Sequence, residues 1–388
     1  MAYVTSLNLH HFRCYEDVAL KALDRGLIVL HGPNGAGKTN VLEALSLLSP
    51  GRGLRGARMA EIQNQNSGKP WAVSAQLAVG DFPVQVGTGF DPQGDKRIIR
   101  IEGETVKSQG ALGEYVACVW LTPQMDRLFL DSSSHRRRFL DRLVFTFDPG
   151  HAGRVTRYEN AMRQRSKLLH DGQHGRQLDG SWLIGLEAQM AETGVAISAA
   201  RIDFLERLQK ACEKHRHAEF PLARLSLKGT VESLLQTGPA LEVEQMFAYQ
   251  LRESRGVDML TGGAATGPHK ADLVVHMAEK NMPASQCSTG EQKALLIGLI
   301  LAHARLILGE RGAAPVLLLD EVAAHLDENR RAALYQILQS LGGQVWMTGT
   351  DESLFMAIRD DARFFEVRNS ALKPSPLQLA AFRSSSAA

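Results

Sequence analysis

The stretch Gly32, Pro33, Asn34, Gly35, Ala36, Gly37, Lys38 and Thr39 has the residue types and spacing to hold a phosphate chain. Glycines at this density let successive backbone N–H groups turn inward as an anion nest, which the positive end of a following helix reinforces. A lysine closing such a loop reaches the β- and γ-phosphates of a nucleotide, and the hydroxyl after it ligates Mg²⁺. The apolar run Leu27 to Leu30 before the loop, and the run opened by Asn40 after it, supply the strand–loop–helix context the chemistry requires. The stretch therefore predicts a nucleotide-binding P-loop, with Lys38 on the phosphates and Thr39 on the metal.

A second chemical group lies far along the chain. Val316 to Leu319 is apolar and ends in Asp320 and Glu321. Two acids at the C-terminal edge of a strand suit a Walker B element, in which Asp320 orders the Mg²⁺ shell and Glu321 polarises an attacking water. Between the two groups, Cys287-Ser288-Thr289-Gly290-Glu291-Gln292-Lys293 opens a long apolar helix. A serine cap and free amides at a helix start can bind an anion, and the same residues also read as a plain capping box.

Cys287 to Lys293 resembles the Leu-Ser-Gly-Gly-Gln signature of the ABC-class ATPases, with Cys287 and Thr289 at its first and third positions. In that class the signature binds the γ-phosphate of ATP held by the other subunit. The resemblance thus implies ATP between two heads, with Ser288, Gly290 and Gln292 facing the nucleotide of a homodimer partner. It also implies a crossing contact for Asp327, and a nucleotide and metal contact for Gln124. Val345 to Asp351 has no switch histidine, and whether a threonine there takes its role is left open by the sequence.

These groups need elements to position them. Val4 to Phe12 alternates as a strand; Trp71 to Val79, Phe82 to Val86 and Lys96 to Ile101 read as a meander with turns at Gly80-Asp81 and Asp91 to Asp95. Val116 to Leu121 is a further strand. After Pro123 the patterns turn helical, over Ser132 to Phe145, Val155 to Leu169, Ser181 to about Lys214 and Leu241 to about Val257. Strands return at Leu273 to His276, Val316 to Leu319 and Gln344 to Met347, with helices near Glu291 to Leu308 and Asn329 to Leu341. The expected fold class is α/β: an ABC-type P-loop NTPase head with a mixed sheet, flanking helices and an antiparallel meander, plus an inserted helical arm lobe. The head would comprise residues 1–124 and 262–388, and the arm residues 125–261. Ser384 to Ala388 reads as a frayed tail.

The chain has 388 residues, 44% of them hydrophobic and 22% charged, which suits a globular protein with a large core. No basic-then-apolar leader opens it and no run approaches a membrane span, so a cytoplasmic, nucleoid-associated location is expected. Cys14, Cys118, Cys212 and Cys287 have no metal or redox spacing, and neither disulfide nor zinc is expected. Net charge is only +2, so any case for nucleic acid must come from local clusters. Arg136, Arg137, Arg138, Arg142, Arg154, Arg157, Arg163, Arg165, Lys167 and Arg176 are interrupted only by Asp141, Asp148, Glu159 and Asp171. Arg52, Arg55 and Arg58 form a second basic loop. Both can neutralise DNA phosphates, and both can also be solvated faces or, for Arg136 to Arg138, braces at the root of the arm.

The helical insertion is too long for a transporter ATPase and too short, without sustained heptads, for a chromosome-maintenance ATPase. The chain is similar to the RecF family of recombination mediators. The residues that carry this are Leu7-Asn-Leu-His-His-Phe12-Arg13-Cys-Tyr15, Gly32 to Asn40, His135-Arg-Arg-Arg138-Phe-Leu-Asp141, Thr266-Gly-Pro-His269-Lys-Ala-Asp272, the signature, Val316 to Asp327 and Met347 to Asp351. The resemblance implies an ATP-dependent homodimer that binds double-stranded DNA at gap junctions, partners RecR and helps load RecA. It further implies slow, DNA-stimulated ATP hydrolysis tied to release, and a contact of Arg13 with the nucleotide.

Overall fold

A computed structural model describes residues 2–80, 82–94, 96–174 and 179–375. Asp81 and Asp95 of the expected turns, Arg176 of the basic cluster and the tail Ser384 to Ala388 lie outside the described residues. The chain forms two compact units, one of residues 1–126, 217–220 and 296–388, the other of residues 127–216 and 221–295.

The first unit is built on two six-stranded sheets. One runs in the order Ala371–Pro374, Ala362–Arg368, Gly26–His31, Gln344–Gly349, Val316–Leu319, Cys118–Leu121, parallel except for its first pair. Its central strands are buried on both faces, which is why Leu27 to Leu30 and Val316 to Leu319 are continuous apolar runs. The other sheet is antiparallel, in the order Tyr15–Leu20, Ala2–Phe12, Ala72–Val79, Phe82–Asp91, Lys96–Ile101, Glu104–Thr105. Its residues alternate, with Val73, Ala75 and Leu77 turned into the core. That core joins both sheets to the helix Lys38–Ser46 through Leu7, Phe12, Val41, Leu45, Trp71, Leu318 and Trp346. Gln344 ties the sheets with polar bonds, donating to Val4 O at 2.8 Å and Asp24 O at 2.9 Å.

The strands Tyr15–Leu20 and Ala362–Arg368 extend these sheets beyond the sequence reading. Glu16 and Asp17 break the apolar alternation of the first, which buries only its two ends. One further expectation needs correction: the helix Thr289–Arg311 is long and apolar enough to cross a membrane by length and composition. Most of its apolar window is buried inside the protein, as in the core helix of a globular domain.

The second unit holds the helices Ser133–Phe145, His151–Gln173, Gly180–Lys214, Ala240–Glu253 and Arg255–Thr261. It is not wholly helical between Pro123 and Thr261 as expected. Ala223–Lys228 is a strand, and it pairs along its length with Asp272–Met277, with Met282–Pro283 on the other side. Its alternation is masked by Arg224, Ser226 and Lys228, and the pairing comes from a segment far away in sequence. Residues 262–295, expected with the head, cluster with this unit, the signature included.

Buried ions organise its interior. Arg165 is fully buried and bonds Glu187 at 3.0 Å and Asp258 at 2.8 Å. The segments His135 to Asp141 and Thr266 to Asp272 meet here: Arg136 grips Asp272 at 2.7 and 2.8 Å, and Arg137 donates to Ala271 O at 2.6 Å. Arg201 joins Asp141 to Pro268 O. Gly267 has φ 139°, and a Cβ there would fall 2.2 Å from the Tyr158 hydroxyl, so the turn needs glycine.

That hydroxyl bonds His269 Nδ1 at 2.7 Å, and His269 Nε2 meets Ala264 O at 3.0 Å. Burial pushes the His269 imidazole down to about 4, against an ordinary 6.5. The folded state therefore resists a proton that the unfolded chain accepts, so stability is unaffected above pH 6.5 and falls as pH drops from 6.5 toward 4. Urea unfolding at pH 7 and pH 5 should show His269 costing roughly 2 kcal/mol at the lower pH. A His269→Gln variant should lose correspondingly less between the two.

Candidate nucleotide-binding site

The strand Gly26–His31 delivers the chain into the glycine loop at the C-terminal edge of the parallel sheet. Gly32 has φ 147°, and a Cβ there would lie 2.2 Å from Val367 O, so the turn admits no side chain. Gly37, at φ 113°, is the N-cap of the helix Lys38–Ser46 and is closed in by Tyr15 and Cys14. No side chain caps this helix and no acid stands in its first turn. Its first amides and its positive dipole end are thus available to an anion, which is the arrangement a phosphate requires. Pro33, Asn34 and Gly35 are exposed at the rim, with Ala36 half-buried behind them.

Lys38 is buried, and its ammonium is folded back onto its own loop, donating to Gly32 O at 2.8 Å and Pro33 O at 3.0 Å. Burial lowers its pKa from the ordinary lysine range, while Glu321 and Asp320 pull it upward. A phosphate would supply the stronger acceptor that this desolvated cation lacks.

Across the sheet edge, Thr39 Oγ1 donates to Asp320 at 2.9 Å from Oδ1 and 3.1 Å from Oδ2. A carboxylate and a hydroxyl already in contact form a hard oxygen pair of the kind Mg²⁺ takes, so the residues present fit that ion. Gln124 is exposed three residues beyond Leu121, which pairs with Leu319 one residue before Asp320, so it shares the same edge. Glu321 follows Asp320 in the left-handed region at φ 53°. Such a conformation costs a non-glycine residue roughly 1–2 kcal/mol and persists where neighbours hold it. Here its N–H donates to Thr348 Oγ1 at 2.9 Å, and the same hydroxyl donates to Asp320 Oδ1 at 2.7 Å.

Arg13 is engaged within its own unit. It clamps the buried Glu43 carboxylate at 2.6 and 2.9 Å and donates to Glu61 O, because an acid sealed in the first unit's core must be paired. Arg55 bonds the same carboxylate and Asn40 Oδ1, both at 2.9 Å, while the Asn40 amide meets Cys14 Sγ. Asp327 accepts from Arg330 N at 2.9 Å and caps the helix Glu328–Leu341.

In the second unit, Ser288, Thr289 and Gly290 are exposed at the start of the helix Thr289–Arg311. Glu291 accepts from both the N–H and the hydroxyl of Ser288 at 3.0 Å. Its second oxygen takes Lys280 Nζ at 2.5 Å; these bonds, Lys280's first, push its carboxyl down to about 2. Gln292 is turned inward: it is buried and its amide donates to Cys287 O at 2.9 Å, which shapes the turn.

Of the basic residues, Arg136 and Arg137 brace their own unit as described above. Arg142 lies over the Phe139 ring and burial pushes its pKa down to about 10. Arg52, Arg58 and Arg138 are exposed. Sequence reasoning missed Glu43 and Arg97, and within Val345 to Asp351 it left open which threonine acts and how. Arg97 reaches from the meander to the carbonyls that end the P-loop helix, Leu47 O among them, with burial pushing it down to about 10. No spacing rule links a strand arginine to a helix end some fifty residues earlier. A buried acid on the apolar face Val41 to Leu45 was the available signal for Glu43.

A family profile described as the RecF/RecN/SMC N terminal domain matches residues 3–373. A DNA replication and repair protein RecF of Rhizobium johnstonii is 48% identical over 367 residues, spanning 94% of this chain and 96% of that protein. The RecF of Agrobacterium fabrum is 47% identical over 95% of this chain and 98% of its own length. Among solved structures, the recombination mediator protein RecF with ATP superposes with a TM-score of 0.84 at 23% identity, covering 96% of this chain and 98% of that one. An Smc head domain from Pyrococcus furiosus gives 0.56 at 15% identity over the whole of both chains. The fold, the residues gathered at the glycine loop and these matches agree: the chain belongs to the RecF family of DNA replication and repair proteins, within the RecF/RecN/SMC group of ABC-type ATPase heads.

Proposed function

We propose that the chain is an ATP-dependent DNA-binding switch of recombinational repair and replication restart, working in the cytoplasm on the nucleoid. ATP joins two copies, the closed dimer binds double-stranded DNA beside single-stranded gaps, and with RecR it helps to load RecA. Slow hydrolysis, stimulated by DNA, releases it. The observation that carries this reading is the convergence of Lys38, Thr39, Asp320 and Glu321 on one sheet edge above an uncapped helix start.

Lys38 binds the outer phosphates, leaving its two loop carbonyls to do so. Thr39 and Asp320, with Gln124 beside them, hold Mg²⁺, which when bound neutralises phosphate charge. Glu321 accepts a proton from the attacking water, its backbone anchored through Thr348. Ser288 and Gly290 of the second copy close the site from the other side, once Glu291 yields the Ser288 donors to a phosphate. Exposed Arg52, Arg58 and Arg138 contact DNA phosphates without reading bases.

The test is binding to gapped, blunt and single-stranded DNA with and without ATP at two salt concentrations. Tighter binding to gapped duplex with ATP, and weakening as salt rises, is expected. Affinity indifferent to ATP on every substrate would remove the switch.

A further inference from the structure

We infer that Thr348 is a positioning residue for hydrolysis, orienting through its one hydroxyl both Asp320 and the backbone of Glu321; the inference rests on the reading above. Thr348 is buried on the strand Gln344–Gly349, whose register pairs Met347 with Leu319 and so sets Thr348 beside Asp320. The strand end is held from two further sides. Gly349 O accepts from Gly32 N, tying it to the entry of the glycine loop, and a Cβ at Gly349 would strike the Phe355 ring.

The hydroxyl has one proton, and its use is dictated by its neighbours. The N–H of Glu321 can only donate, so Thr348 Oγ1 must accept there at 2.9 Å. Its own proton then goes to Asp320 Oδ1 at 2.7 Å. One group thus orients the acid placed on the metal and the backbone of the acid placed on the water. Thr39 is the other donor to Asp320, and its oxygen is the one assigned to Mg²⁺. Once that oxygen is engaged, Thr348 carries the orientation of the carboxylate. Groups that orient a metal-bound carboxylate typically change affinity or rate by one to two orders of magnitude when removed.

Thr348→Val keeps the shape and removes both bonds, whereas Thr348→Ser keeps them. ATP binding is measured without Mg²⁺ and across a Mg²⁺ titration, with turnover alongside. For Thr348→Val we expect metal-free ATP affinity within about threefold of the parent, a Mg²⁺ half-point raised about 10- to 100-fold, and turnover lowered by a similar factor. Thr348→Ser should restore both to within about threefold of the parent. Parental metal dependence and turnover in Thr348→Val would overturn the inference while leaving the nucleotide switch standing. Equal loss in both variants, with metal-free binding lost too, would reduce Thr348 to a packing role. Absence of ATP binding by the parent protein would remove the function itself, and this inference with it.

Discussion

Lys38→Met is expected to weaken ATP binding by about 30-fold at the least and by as much as several thousandfold, the range for removing one partner of a desolvated charged pair. Lys38 is buried and held by two carbonyl oxygens of its own loop, so its chemistry is set before any ligand arrives. Carbonyls are weak partners for an ammonium next to a triphosphate, and exchange of one for the other is where the affinity arises. Methionine fills the same space without the charge. Equilibrium titration with a fluorescent ATP analogue reads the loss, and size-exclusion chromatography with ATP and Mg²⁺ should find no dimer. Affinity within threefold of the parent would mean that the ammonium stays on Gly32 and Pro33 in the loaded protein.

Glu321→Gln should separate binding from turnover. The tether that sets Glu321 runs from its backbone N–H to Thr348, so an isosteric amide keeps the left-handed geometry and the neighbouring Asp320 contacts. What disappears is the proton acceptor, for which a loss of about 10²- to 10⁴-fold in turnover is expected. ATP affinity should hold, and the protein should accumulate as an ATP-bound dimer in size-exclusion chromatography. A Glu321→Gln protein that elutes as a monomer with ATP and Mg²⁺ would refute the two-headed site.

Both outcomes concern residues that were legible before any coordinates. A glycine loop between an apolar strand and a helix is a local arrangement, and local backbone constraints write themselves into adjacent residue types. The same holds for the acid pair after Val316 to Leu319, for the meander and for the long helices. The basic cluster was legible as charge and misleading as surface. Arg136, Arg137 and Arg165 looked alike in sequence, yet each is spent on an acid or a carbonyl that only packing brings near. Arg13 went the same way to Glu43. The strand Ala223–Lys228 was hidden for a related reason, since half its residues are polar and its partner lies some fifty residues downstream.

The sequence by itself determined a glycine loop suited to a phosphate chain, the lysine and hydroxyl that close it, and the pair of acids at a strand end, because those demands act over a few neighbouring residues. Only the tertiary structure decided which of the many cations are free and which are consumed, and what holds Asp320 and Glu321 in place. Charge pairing and hydrogen bonding act over a few ångströms in space. They are indifferent to the separation of 28 positions from Asp320 to Thr348 along the chain.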